Sequence, residues 1–100
     1  MYYLYILYSD TSDKYYIGQT DNLDRRLFQH NNSNRNTYTS KHRPWNLVAS
    51  FELGNDRGVA RKIEIKIKSQ KSRKVILDLL NHSGDKDYLS NLVRVPICRD

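Results

Sequence analysis

The chain has 100 residues, 38% of them hydrophobic, and a formal net charge of +6 at neutral pH, which suits one domain burying roughly two-thirds of its unfolded surface. The basic balance points to a polyanionic partner, nucleic acid before anionic lipid. A single cysteine, Cys98, excludes an internal disulfide or a cysteine-rich zinc site and suits a reducing, cytoplasmic compartment; the apolar run at the N-terminus is too short to cross a bilayer and lacks the flanks of a signal peptide.

Tyr2-Tyr3-Leu4-Tyr5-Ile6-Leu7-Tyr8 and the run over 14–19, which opens Lys14-Tyr15-Tyr16-Ile17-Gly18, predict two strands. Ser9-Asp10-Thr11-Ser12-Asp13 between them is turn chemistry, so the strands form a hairpin. Gly18 marks either a bulge or a place where another group approaches the backbone closely. Asp21 is read as the N-cap of a helix running to His30. On that helix Leu23 and Leu27 face the core, while Arg26 and His30, four residues apart, share a neighbouring face.

Residues 31–44 are polar and loop-like, exposing Arg35, Lys41, His42 and Arg43. Trp45 to Leu53 alternates Leu47, Ala49 and Phe51 against Val48, Ser50 and Glu52, the pattern of a third strand. Gly54-Asn55-Asp56 is a break and an N-cap for a helix to about Ser69, with Val59, Ile63 and Ile67 on its buried stripe. Ser72 caps a last helix with Val75, Ile76, Leu79 and Leu80 on its apolar side. Beyond Asn81 periodicity is lost, and Ser83-Gly84-Asp85 reads as a boundary. It divides a domain over 1–81 from a tail over 82–100, whose Tyr88, Leu89, Leu92, Val93, Val95 and Ile97 are able to dock on the domain. The order β-β-α-β-α-α predicts an α+β fold: a small three-stranded antiparallel sheet flanked by helices.

Eight tyrosines stand against two phenylalanines, although a buried phenol needs a hydrogen-bond partner and a phenylalanine does not. For Tyr3, Tyr8 and Tyr15, a ring packed inward with its hydroxyl at the rim is sufficient. For Tyr5 and Tyr16, packing and function weigh equally. Function requires both on one face, with Tyr5 opposite Tyr16 or offset from it by two residues. A phenol acts as a base only where nearby cations lower its pKa from about 10. Arg26 is either a solvated helix residue or a bidentate contact to a phosphate. His30 is either a helix-end cap or a proton carrier. Eight of the seventeen Lys and Arg residues lie between Arg57 and Lys74, where Glu64 is the sole carboxylate. It serves either as an ordinary helix ion pair or as the anchor of one divalent cation, with water and phosphate oxygens as the other ligands.

Tyr5 in Leu4-Tyr5-Ile6, Tyr16-Ile17-Gly18, Arg26 in Asp24-Arg25-Arg26-Leu27, His30 and Glu64 together resemble the GIY-YIG nuclease superfamily. The likeness is to its small single-domain bacterial members and covers about residues 2–80. One departure is that Tyr3-Leu4-Tyr5 stands where Gly-Ile-Tyr is expected. The resemblance implies a GIY-YIG endonuclease-like fold and hydrolysis of DNA phosphodiesters with one Mg²⁺ or Mn²⁺ ion held by Glu64. It also implies roles: Tyr5 helps deprotonate the attacking water, Tyr16 orients water or phosphate, Arg26 stabilises the pentavalent phosphate, and His30 supports proton transfer. Lys68 matches a basic position common in the small members.

The expectation is a metal-dependent DNA endonuclease, structure-directed rather than sequence-specific, with a role in repair or recombination. The rival is a non-catalytic nucleic-acid-binding module that keeps the fold. Arg35, Lys41, Arg43, Arg61, Lys68 and Lys71 are expected to hold the phosphate backbone without reading bases, and Gly18 to be structural. No recognition helix or zinc finger is visible, so specificity would come from a protein partner, and no membrane association is expected.

Overall fold

The computed structural model describes residues 1–32, 39–70 and 72–95. Arg35, Lys71, Ile97 and Cys98 lie outside them. β1 (Tyr2–Ser9) and β2 (Lys14–Thr20) form the antiparallel hairpin, and β3 (Asn46–Gly54) pairs antiparallel with the other side of β1, giving the order β2-β1-β3. α1 (Leu23–Asn32) and a short 3₁₀ turn (Thr39–Lys41) separate β2 from β3; α2 (Arg57–Ser69), α3 (Arg73–Leu80) and α4 (Lys86–Val93) follow. The three-stranded antiparallel α+β architecture read from the sequence is thus the one observed.

Alternation along β1 creates two cores. Leu4 and Ile6 face one side, where Ile17, Ala49, Phe51 and Leu53 meet Ala60, Ile63 and Ile67 of α2 and Leu79 of α3. Tyr5 and Leu7 face the other side, packing with Trp45 and, less deeply, with Tyr16, Leu23 and Leu27. The first core is aliphatic and large. The second is small and aromatic, and it holds both tyrosines singled out for chemistry.

Two local expectations are corrected. Asn22 rather than Asp21 caps α1: its Oδ1 accepts the Arg25 N–H at 3.0 Å, while Asp21 pairs with the Arg25 guanidinium at 2.8 Å. The Thr20 hydroxyl accepts the Asn22 N–H at 3.1 Å and so moves the start of the helix one residue on. In β3, the register with β1 shifts between Ile6, which opposes Ala49, and Leu7, which opposes Leu47. The extra residue leaves Leu47 and Val48 both surface-exposed, at 40% and 39%, instead of placing Leu47 on the buried face with Ala49 and Phe51.

Residues 82–95 continue as ordered structure. Asp85 caps α4 by accepting the Tyr88 N–H at 3.0 Å. Leu89, Val93 and Val95 are buried in the aliphatic core, and Lys66 Nζ donates to the Val93 carbonyl at 3.1 Å. Gly84 N–H donates to the Ser50 carbonyl at 2.9 Å, tying the connection to β3. Two turns of helix are too short for a periodicity to be legible. Leu89→Ala should lower stability by about 2–5 kcal/mol in urea unfolding, with a single transition; a loss far below that would mean that residues 82–95 contribute little to the fold.

Candidate active site

The small core is organised by the Tyr5 hydroxyl. Tyr5 opposes Gly18 in the hairpin and Tyr16 opposes Leu7, so both tyrosines lie on one face, offset by two residues, with ring centroids 6.4 Å apart. The Tyr5 ring lies across Gly18: a Cβ at position 18 would come within 2.6 Å of Tyr5 Cζ and closer still to the hydroxyl. Pairing runs through Gly18 without a register shift. Its absent side chain is therefore a seat for the ring, and the bulge reading falls away.

The end of that ring reaches α1. Arg26 Nε donates to the Tyr5 oxygen at 3.3 Å, and His30 Nε2 lies 2.9 Å from the same oxygen. On its other side, His30 Nδ1 is 3.0 Å from the Thr39 hydroxyl. The four-residue spacing brings Arg26 and His30 together on one atom, as α-helical geometry requires. Tyr16 meets the His30 ring edge-on, with centroids 4.9 Å apart, and Trp45 at 6.1 Å.

Burial dominates the electrostatics here. It pushes the Tyr5 phenol up to about 12, although the hydrogen bond and charge of Arg26 pull the other way. At neutral pH Tyr5 is therefore a neutral phenol. Burial, then the charges of Arg26 and Arg43, push His30 down to about 4, so its imidazole is neutral. The cations needed to make a phenol a ready base are present, but in the protein alone they are outweighed.

Glu64 approaches from α2, its side chain 20% exposed and paired with Lys68 at 3.1 Å. Its negative charge acts on both Tyr5 and Arg26. Lys68 Nζ also sits 5.3 Å from the centroid of the Tyr16 ring. Tyr5, Tyr16, Arg26, His30, Glu64 and Lys68 are thus gathered in one place from β1, β2, α1 and α2.

The expected backbone-binding residues divide differently. Lys41 and Arg61 are exposed. Arg43 is only half-exposed, and its Nε donates to the His30 carbonyl at 2.8 Å, so it braces α1 instead of standing free in a loop. Sequence reasoning passed over three supporting residues. The Asn31 side chain accepts the Trp45 N–H at 2.6 Å and donates to the Trp45 carbonyl at 3.0 Å. Trp45 Nε1 donates to the Thr39 carbonyl at 2.8 Å, and Thr39 orients His30. The available signal was a lone tryptophan ending a polar segment that begins beside the chemistry-bearing helix.

Residues 1–76 match the family described as the GIY-YIG catalytic domain. The chain belongs to the GIY-YIG family. No curated protein and no solved structure matches it significantly. GIY-YIG proteins are nucleases and generally depend on a divalent metal, and a nuclease domain implies a DNA substrate. Among the described residues, no group of three or more His, Cys, Asp or Glu side chains is placed to hold an ion, and no helix is long and apolar enough to cross a membrane. In this GIY-YIG domain, Glu64 offers one hard carboxylate whose charge reaches the Tyr5 phenol. That donor fits Mg²⁺ or Mn²⁺, which one or two carboxylates can hold while water and substrate phosphate fill the other positions.

Gly18→Ala should destabilise the protein by about 1–3 kcal/mol through overpacking. Combining it with Tyr5→Leu should cost less than the sum of the single changes, because the opposing ring is then gone. Full additivity in urea unfolding would contradict the seat. For His30, the folded value near 4 lies below the ordinary 6.5, so the unfolded chain takes up a proton first as pH falls. Stability should therefore decline between about pH 6.5 and pH 4, by up to roughly 3 kcal/mol, and His30→Gln should flatten that part of the profile measured by thermal melting. An identical profile in the variant would contradict the assignment.

Proposed function

We propose that the protein is a metal-dependent endonuclease that hydrolyses DNA phosphodiesters with one divalent cation held by Glu64. The observation that carries this reading is the convergence on the Tyr5 hydroxyl of Arg26, His30 and the charge of Glu64. When bound, Mg²⁺ or Mn²⁺ supplies Lewis-acid polarisation of the phosphate. Arg26 uses Nε on Tyr5 and reaches Gln29 through Nη1 at 3.5 Å, leaving Nη2 for a phosphate oxygen as negative charge builds.

A free phenolate is too rare to be the base, so proton transfer is paired. The Tyr5 oxygen takes a proton from the attacking water as its own proton passes to Nε2 of neutral His30, whose Nδ1–H is donated to Thr39; the bound phosphate's negative charge offsets the imidazolium that forms. Tyr16, beside His30, orients water or phosphate. The exposed cations Lys41 and Arg61 hold the backbone without reading bases. The enzyme is accordingly structure-directed, suited to repair or recombination in the cytoplasm, with any sequence specificity supplied by a protein partner.

One observation favours the rival, a non-catalytic binding module: Lys68 already neutralises Glu64 at 3.1 Å. Incubation with supercoiled, branched and single-stranded DNA and Mg²⁺ or Mn²⁺ separates the two. Cleavage is expected to fall by about 10²–10³ in Arg26→Ala and to vanish in Glu64→Ala. Undiminished cleavage by Glu64→Ala would sink the reading, and binding without cleavage on every substrate would establish the rival.

A further inference from the structure

A second basic feature adjoins the tyrosine site. A groove of about 330 Å³ is lined by Arg25, Arg26 and Arg57, with Tyr2, Gln19 and Asp21 in its walls. Three arginines from α1 and α2 line this groove with a single acid, Asp21, which is already paired with Arg25 at 2.8 Å. Arg26 is shared with the site, since its Nε rests on the Tyr5 oxygen.

Arg57 is the least expected of the three. It is the first residue of α2, where the positive end of the helix dipole disfavours a cation, and the first turn contains no acid. The adjacent Asp56 directs Oδ1 to the helix's own amides, at 2.8 Å from Gly58 N and 3.2 Å from Val59 N. Among the described residues, the Arg57 side chain makes no ion pair or hydrogen bond. The groove thus gathers positive charge that the fold leaves uncompensated.

We propose that Arg25, Arg26 and Arg57 form a second phosphate subsite for a backbone phosphodiester of DNA, next to the phosphate held at Tyr5. The proposal rests on the nuclease reading for its ligand, but it does not require cleavage. A guanidinium matches a phosphodiester's two free oxygens in bidentate fashion. With Arg26 touching both positions, two successive phosphates fix the direction in which the strand crosses the tyrosines. Contacts of this kind position a strand and carry no sequence information.

The test is binding of a labelled DNA duplex to the full chain without divalent cation, over a range of salt concentrations. Arg57→Ala should weaken binding about five-fold or more at low salt and reduce the slope of log K against log salt by about 0.9, the signature of one lost phosphate contact. Arg57→Glu should weaken it further. Lys86→Ala, which removes a cation from the same first position of α4, should change the slope less. A series of duplexes with one methylphosphonate each should contain a position whose neutralisation weakens wild-type binding but adds nothing in Arg57→Ala. Inorganic phosphate should compete no better than chloride at equal ionic strength. Unchanged affinity and slope in both Arg57 variants would overturn the subsite, as would Arg57-dependent competition by inorganic phosphate. If Arg57 governs binding while no DNA is ever cleaved, the nuclease reading fails and the subsite stands. If cleavage is intact while binding is independent of Arg57, the subsite fails and the nuclease reading stands.

Discussion

The packing of the Tyr5 ring across Gly18 is the constraint on which the site depends. A phenol on a central strand would ordinarily stand upright from the sheet and meet its cross-strand neighbour. Here the neighbour has no side chain, so the ring lies over β2 and delivers its hydroxyl to α1. Arg26 and His30 then become partners of one oxygen. Thr39, Trp45, Asn31 and Arg43 fasten the end of α1 to residues 39–45, in the position that this oxygen demands.

The same packing sets the acid–base character of the group. Burial moves Tyr5 and His30 in opposite directions on the pH scale, the phenol upward and the imidazole downward, and both remain neutral near pH 7. A pair of neutral groups joined by a hydrogen bond can pass a proton along without either holding a charge at rest. Permanent charge surrounds the pair, on Arg26, Arg43, Glu64 and Lys68. The Tyr5–His30 pair is therefore buried and uncharged amid fixed cations.

Much of the fold was legible because its signals are short and local. The hairpin, β3, the Asp56 and Ser72 caps and the buried stripe of α2 follow from alternation, turn residues and helical spacing. The grouping of the candidate residues was legible for a similar reason: Arg26 and His30 lie one turn apart, and Tyr5 and Tyr16 flank a single turn. What escaped depends on distant pairing. The displacement of Leu47 arises from a register shift against β1, and the Asn31–Trp45 clasp closes a segment whose polar residues read as plain loop. α4 escaped because two turns bearing Leu89 and Val93 acquire meaning only against α2 and β3. Arg57 gave no signal among seven neighbouring cations; its setting is visible only where it shares a groove with Arg25 and Arg26.

β1 is at once the earliest strand in the sequence and the central one in the sheet. Its hairpin partner arrives within a few residues, but the opposite edge waits for β3 at 46–54 and the aliphatic core waits for α4 at 86–93. During synthesis, Leu4 and Ile6 are thus left with one edge unpaired and one face bare while some forty further residues emerge. Non-local pairing of this kind slows folding and prolongs the life of aggregation-prone species. The strand on which the candidate site is built therefore completes its pairing only through distant contacts.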